Sequence, residues 1–215
     1  MTNIRRKLFT AAATLGLVSL LSGCIKMEMD MKLSKDEKIS GTMIVGFQKS
    51  LLEMMGQTKE EFLKDMKMGE GMPKGSKVKT YDKDGYIGQE VSFKDLPASE
   101  LNNLGNAAKG ATAAAGGDAK SSSKDDLKLA KVKGKWVMTG TMDLSAAAGD
   151  TGGAKPKAGE PDMSALMKGF KIRIKMTFPG KIVEHDKWGK VKGNSVEWNP
   201  KAGEKVVMKV VANAS

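Results

Sequence analysis

The chain has 215 residues, of which 36 are basic and 25 acidic, so its formal net charge is +11. It contains one cysteine and one histidine, which excludes an internal disulfide and does not supply the ligands of a typical zinc site. The length suits one domain with a hydrophobic core.

The first residues have the pattern of an export signal. Arg5, Arg6 and Lys7 are basic, and residues 8–22 follow without a charge. That uncharged run is shorter than the roughly 20 residues that a membrane-spanning helix needs. A basic start, a short apolar centre and small residues at the end predict a secretory signal peptide over residues 1–23.

The signal ends in Leu21-Ser22-Gly23-Cys24, which resembles the lipobox of bacterial lipoproteins in all four positions. The resemblance implies cleavage between Gly23 and Cys24 and transfer of a diacylglycerol to the Cys24 thiol. Cysteine suits this step because its thiolate is a good nucleophile. We therefore expect a protein held by lipid on the extracytoplasmic side of the cell membrane. A plain cleaved signal with a chance cysteine remains the alternative.

The chain after the signal retains 33 basic and 25 acidic residues, a net charge of +8. Nucleic acid is a common partner of basic chains, but export argues against it. For a protein tethered to a membrane, anionic lipid headgroups are a closer partner for the positive charge than nucleic acid is. No later segment has 18 consecutive apolar residues, so we expect no membrane-spanning helix in the mature chain.

Strictly alternating apolar and charged residues from Ile25 to Leu33 predict a half-buried strand. Residues 39–47 continue the alternation after a polar turn and predict a hairpin. Two capping-box patterns then predict one bent or two short helices. They are formed by Ser50 with Glu53 and by Thr58 with Glu61.

Later segments alternate again and predict more hairpins, one of them turning at Asp84-Gly85. Residues 105–126 and 145–162 are rich in Ala, Gly and Lys, which is typical of flexible segments. Trp188 and Trp198 flank a lysine-rich loop, and a hairpin with one packed tryptophan is favoured over a membrane-dipping loop. The predicted fold is α+β: an antiparallel sheet built of hairpins, with one or two helices packed on one face.

The sequence resembles the LppM-type lipoproteins of actinobacteria. The resemblance rests on the lipobox joined at once to an alternating strand, on the order of hairpin, helix and hairpin, and on three short motifs. These motifs are Phe178-Pro179-Gly180, Gly193-Asn194 and Val196-x-Trp198. It implies one extracytoplasmic α+β domain over residues 25–215, lipid or glycolipid binding, and no established enzyme activity. Many members also carry a membrane-spanning helix near the C-terminus. None precedes Ser215, so Cys24 is expected to be the sole anchor.

The sequence gives little support for catalysis or metal binding. His185 lies among charged residues, and no positioned nucleophile or G-x-S-x-G motif accompanies it. We predict a protein that is not an enzyme and that needs no cofactor or metal. Met27, Met29 and Met31 could offer thioethers to Cu(I), although methionine as a core filler is the favoured interpretation.

The leading functional hypothesis is a binding module for envelope lipids or glycolipids. An acyl chain would lie between helix and sheet, and surface lysines would hold the headgroup. A closed core built of the same residues is the competing interpretation. The expected pocket-lining residues are Met27, Met29, Met31, Met43, Val45, Leu51, Leu52, Met55, Phe62 and Leu63. The alternative hypothesis is an envelope scaffold whose basic surface binds anionic polymers or a partner protein, which the sequence does not identify.

Overall fold

The computed structural model describes residues 23–66, 72–101, 103–104, 127–144 and 169–214. The predicted signal residues before Gly23 and the predicted flexible segments 105–126 and 145–162 lie outside the described residues. Within those ranges the chain forms eleven strands and two short α-helices. In chain order the elements are β1 (Ile25–Leu33), β2 (Lys38–Gln48), α1 (Lys49–Met54), α2 (Lys59–Asp65), β3 (Lys77–Lys83), β4 (Tyr86–Pro97), a 3-10 turn (Ala98–Glu100), β5 (Lys128–Val132), β6 (Lys135–Asp143), β7 (Phe170–Thr177), β8 (Ile182–His185), β9 (Lys190–Lys192), β10 (Ser195–Trp198) and β11 (Lys205–Asn213).

The strands form two sheets. The larger has seven strands in the order β3-β4-β2-β1-β7-β10-β9, and the smaller has four in the order β5-β6-β11-β8. Most neighbours are antiparallel, as the predicted hairpins require. The exception is the pair of β1 and β7, which runs parallel with Ile25 opposite Phe170. The α+β fold of hairpins is confirmed, and this one parallel pairing among the described strands makes the larger sheet mixed.

Strand β1 occupies the centre of the larger sheet and has the predicted bounds. Its apolar residues from Ile25 to Leu33 are buried, whereas the charged residues between them are half-buried or exposed. Successive side chains of a strand point to opposite sides, so the sheet has two chemically different faces. We call the side that carries Met29 the inner face and the side that carries Glu28 the outer face.

The two helices follow β2, and only one begins as predicted. Helix α2 begins at the capping box: Glu61 N donates to Thr58 Oγ1 at 3.3 Å, and Thr58 N donates to the Glu61 carboxylate at 3.0 Å. The prediction of a capping box at Ser50 is wrong. Helix α1 begins at Lys49 without a side-chain cap, because β2 extends to Gln48 and the Lys49 amide donates to Gly85 O instead.

Both helices pack on the inner face, as predicted. The rings of Phe47 in β2 and Phe62 in α2 meet edge to face, with their centroids 5.0 Å apart. Asp82, which projects from β3 on the same side, binds the ammonium groups of Lys49 and Lys59 at 2.6 Å each. Apolar contact and ion pairing therefore hold α1 and α2 to the sheet together.

The inner faces of both sheets contribute to one continuous hydrophobic core. Trp198 of the larger sheet and Trp136 of the smaller are almost fully buried in it. Trp188 is 37% exposed and stacks with the Lys187 ammonium. The hairpin therefore packs one of its two tryptophans, as the favoured interpretation predicted.

Asp186 joins the two sheets. Its Oδ2 accepts from the Trp198 indole at 3.0 Å and from the Lys209 amide of β11 at 2.8 Å. Its Oδ1 accepts from the amides of Trp188 at 2.7 Å and Gly189 at 2.9 Å. Burial opposes the charge of the carboxylate, but these four donors outweigh it, and the pKa of Asp186 is lowered.

Candidate functional site

The outer face of the larger sheet is strongly basic. The strand registers place eleven paired basic residues on it against four acidic ones, a balance of +7. The basic residues are Lys26, Lys32, Lys38, Lys77, Lys79, Lys83, Lys171, Arg173, Lys175, Lys190 and Lys192, and the acidic residues are Glu28, Asp30, Glu90 and Glu197. We call this surface the basic face.

The centre of the basic face is partly neutralised by ion pairs across strands. Arg173 lies 3.3 Å from Glu28, 3.8 Å from Asp30 and 3.7 Å from Glu197. Lys175 also binds Asp30 at 3.3 Å. Because three of the four carboxylates converge on one arginine, they leave the lysines towards either edge of the sheet as the excess charge.

Lys26 is the most enclosed of these cations. Its Nζ donates to Tyr81 Oη at 3.0 Å and lies 5.3 and 5.8 Å from the ring centroids of Tyr81 and Tyr86. Desolvation opposes its charge, but the bond to Tyr81 and the Glu28 carboxylate outweigh desolvation, so the pKa of Lys26 is raised. This lysine stays charged and fixes the aromatic part of the basic face.

A concavity of about 360 Å³ lies at the β9 edge of the basic face. Lys175, Lys190 and Lys192 line it together with Ser195 and Glu197. Three neighbouring strands bring these side chains together, because Lys192 pairs with Ser195, and Glu197 pairs with both Lys190 and Lys175. We call this group the lysine pocket.

The lysine pocket has the chemistry of an anion site. In the part of the chain that the structure describes, Lys190 and Lys192 form no ion pair, so both ammonium groups remain available. A lysine ammonium is a compact point charge that suits phosphate or carboxylate oxygens. Ser195, whose Oγ lies 2.9 Å from Thr177 Oγ1, adds a hydroxyl group to the lining.

The predicted acyl-chain residues lie on the opposite, inner face. Eight of the ten are buried in the core cluster, and Leu63 packs against it half-buried. Met55 does not lie where the pocket prediction places it. It is the C-cap residue of α1 and is 42% exposed, whereas Leu51 and Leu52 of the same helix point into the core. Helix and sheet residues do meet as predicted, and they pack directly against each other.

Met27, Met29 and Met31 are at most 5% exposed and face the core. This is the position expected of core methionines rather than of an accessible copper site. His185 is exposed, and its Nδ1 lies 2.7 Å from Asp186 O. Among the described residues, no group of three His, Cys, Asp or Glu side chains could hold a metal ion.

Cys24 lies at the very start of β1. Its carbonyl accepts from the Gln48 amide at 2.8 Å, and its side chain is 3% exposed. Desolvation raises the pKa of the thiol, only partly offset by a backbone hydrogen bond. None of the described helices is long and apolar enough to cross a membrane. Lipidation of Cys24 and cleavage after Gly23 stay predictions.

Sequence reasoning did not locate the lysine pocket. It identified basic surface residues in general, but the pocket needs Lys175 from β7 beside Lys190 and Lys192 from β9, which depends on strand order. The alternation of Lys190, Val191 and Lys192 before the Gly193-Asn194 turn was the available signal. It places both lysines on one face of a hairpin strand.

The fold defines a class, the α+β domains built mainly of β-hairpins, and comparisons with known proteins specify the family. The LppM domain matches residues 26–214, so the chain belongs to the LppM domain family. Protein LppM of Mycobacterium tuberculosis is 31% identical over 106 residues, which cover 47% of this chain and 42% of that protein. The match thus spans less than half of that curated relative.

The fold also matches a solved structure. The NMR structure of the folded domain of Mycobacterium tuberculosis LppM superposes with a TM-score of 0.60 at 18% identity, covering 89% of this chain and 91% of that one. At this identity the likeness concerns the fold. It confirms the architecture predicted from the hairpins. The domain match over residues 26–214 shows the family, and membership of this lipoprotein family suggests association with a membrane.

Proposed function

We propose that this protein is a non-enzymatic binding module of the cell envelope, tethered through Cys24, that holds the anionic headgroups of envelope lipids or glycolipids. The lysine pocket is the observation that carries the proposal. It gathers three ammonium groups, and the two on β9 have no carboxylate partner among the described residues. Family membership agrees with a membrane-associated lipoprotein.

The tether follows from the lipobox resemblance. The Cys24 side chain has to leave its buried position to enter a bilayer. Cleavage after Gly23 would make Cys24 the first residue of the chain and free its side chain to turn. Two acyl chains would then hold the domain stably on the membrane.

An anionic headgroup fits the lysine pocket by charge. Each lysine close to an anionic lipid contributes about 1 kcal/mol, so Lys190 and Lys192, which form no ion pair among the described residues, contribute about 2 kcal/mol. The attraction is electrostatic and partly exposed, so it weakens as salt shortens the screening length. The eleven cations of the basic face extend well beyond the pocket, which also suits a longer anionic polymer and keeps the scaffold hypothesis as the second candidate.

The acyl chain of such a ligand needs a separate place. The predicted position between helices and sheet would require α1 and α2 to part from the inner face, because Leu51, Leu52 and Phe62 pack into the core there. The lysine pocket lies on the opposite face of the sheet, so one lipid molecule would not occupy both places. We retain the acyl-chain position as a separate proposal, on which the headgroup site does not depend.

The test is a calorimetric titration of the full chain, held in phosphatidylcholine nanodiscs, with dioctanoyl phosphatidylinositol. Changing Lys175, Lys190 and Lys192 together to Gln should weaken binding roughly 30-fold, the equivalent of about 2 kcal/mol from the two unpaired lysines. The matched control changes Lys133, Lys135 and Lys201, which are exposed outside the basic face, to Gln. It removes the same charge and should leave affinity within about twofold.

Inorganic phosphate and dioctanoyl phosphatidylcholine complete the titration. Equal affinity for phosphate and for phosphatidylinositol would indicate a free-anion site rather than a headgroup site. Binding that both triple variants weaken equally would favour the diffuse basic surface of a scaffold. Absence of binding to any anionic lipid would contradict the proposal.

A further inference from the structure

A corner of the domain next to Cys24 carries an apolar surface that the proposed headgroup site does not use. Twelve methionines lie in the described residues, and ten of them are buried or half-buried. The two exceptions are Met54 and Met55, at the C-terminal end of α1, which are 67% and 42% exposed. Met54 is the most exposed large hydrophobic side chain that the structure describes.

The backbone fixes this corner beside the proposed tether. Strand β1 begins at Ile25, so no spacer separates it from Cys24. The Gln48 amide donates to Cys24 O at 2.8 Å, and α1 begins at the next residue, Lys49. A helix of six residues is only roughly 9 Å long. Met54 and Met55 therefore stay close to the point where the chain would enter the bilayer.

Two lysines flank the same end of the larger sheet. Lys83 ends β3 beside the turn at Asp84 and Gly85, and the Lys171 side chain lies against Gly23 at the start of β7. Neither forms an ion pair with another described residue. Exposed apolar side chains and cations at the same end of a domain suit the interface of a bilayer, where the apolar part enters and the ammonium groups meet phosphates.

We propose that this corner, formed by Met54, Met55, Lys83 and Lys171, is the surface on which the domain rests on its own membrane, with the two methionines inserted into the lipid interface. The inference rests on the proposed tether at Cys24 and names the membrane contact that accompanies it. A lipid anchor and an inserted apolar patch at one end fix the orientation of a domain, whereas an anchor alone lets it rotate.

Membrane contact through this corner leaves the lysine pocket free. Lys175 is level with Asp30, five residues along β1 from Ile25, which corresponds to roughly 17 Å at the rise of a strand. The strands would stand upright, and the pocket would lie at that height above the membrane contact. The two surfaces therefore bind different parts of the envelope and can be tested separately.

The experiment places one environment-sensitive fluorophore on the lipidated full chain in vesicles of phosphatidylcholine and phosphatidylglycerol. Met54→Cys supplies the thiol for the label, since the diacylglycerol occupies the Cys24 sulfur, and mass spectrometry confirms a single label. Val207→Cys is the matched control, because Val207 is 54% exposed on β11 in the smaller sheet. We expect blue-shifted emission at position 54, quenched by lipid-borne spin labels, and water-like emission at position 207.

Water-like emission at position 54, in protein that still floats with the vesicles, would contradict membrane contact through this corner. It would not contradict the lipid tether at Cys24. Loss of flotation would contradict both the tether and the membrane contact of the corner. Titration with phosphatidylinositol would still test the lysine pocket. Met55→Cys repeats the measurement if the first variant misfolds, and it should give the same blue shift.

Discussion

The two faces of the seven-stranded sheet are made by the same strands and differ in almost every respect. On β1, Met29 and Met31 point into the core and are at most 2% exposed, while the neighbouring Glu28 and Asp30 are half-buried and form ion pairs on the outer face. Moving one position along the strand exchanges an apolar environment for a charged one. The inner face therefore carries the buried core, and the outer face carries the charged side chains.

The largest expected effect comes from placing one charge on the wrong face. Met31 is fully buried, so Met31→Asp should lower the free energy of unfolding by about 4 kcal/mol or more, enough to unfold many domains. Lys32→Asp puts the same side chain one residue further on, at an exposed position. It should cost no more than about 1 kcal/mol.

Urea unfolding followed by tryptophan fluorescence measures both variants. Similar midpoints for the two would mean that the faces are not as distinct as their burial indicates. A folded Met31→Asp protein with near-native stability would point to an accessible space next to that residue. Such a result would support an acyl-chain pocket in its predicted position.

A smaller effect is expected where the larger sheet is joined to the smaller one. Asp186→Ala leaves the Trp198 indole and three backbone amides without their acceptor and should cost about 3 kcal/mol in unfolding free energy. Asp186→Asn keeps one carbonyl acceptor and should cost less. Asp36→Ala, at an exposed turn, is the control and should leave stability within about 0.5 kcal/mol.

The pH dependence of stability identifies the charge of Asp186 as the cause. Its pKa is lower in the folded chain than in the unfolded one. The stabilisation is therefore present above the unfolded pKa, about 3.9, and is lost as pH falls through the folded value. Asp186→Ala should flatten the stability profile in this acid range. An unchanged profile would show that the carboxylate does not carry the contact.

The smallest expected effect concerns the helix side of the sheet. The ammonium groups of Lys49 and Lys59 hold the pKa of Asp82 at about 2, below its ordinary value of 3.8. The helix contact should be complete above pH 3.8 and weaken as pH falls towards 2. NMR titration of the carboxyl group measures this value directly. Changing both lysines to Gln should bring it back towards 3.8, and a value already near 3.8 in the unaltered protein would contradict the pairing.

Local patterns were sufficient for much of the fold. The alternation from Ile25 to Leu33 predicted β1 with its bounds, because period two is a property of the strand itself. The turn at Asp84 and Gly85 has positive φ at both residues, as its sequence predicts. Thr58 and Glu61 formed their capping box because all of its atoms lie within four residues.

The failure at Ser50 has a tertiary cause. The same capping pattern is present there, but β2 extends to Gln48 by pairing with Tyr86, and the helix begins before the pattern. Met55 was misplaced for a similar reason. Helical periodicity groups it with Leu51, but α1 ends at Met54, and Met55 at its C-terminal end is 42% exposed.

The sequence predicted the kind of partner that the candidate site would bind, but not where the site lies. Excess lysine and the lipobox resemblance favoured anionic lipid as a partner, whereas the lysine pocket depends on β10 lying between β7 and β9. Arg173 and Glu28 meet although 145 residues separate them in sequence. Such pairings close long loops, and no local pattern encodes which strands they join.

The amino-acid sequence by itself determined the strands, their apolar and charged sides, the tight turns and the family, because each of these depends on neighbouring residues or on short motifs. The tertiary structure decided the rest. It placed β7 parallel to β1, set Asp186 between two sheets and left Met54 and Met55 exposed beside Cys24. These features depend on which distant segments pack together, and packing is settled by the whole core rather than by any one stretch of the chain.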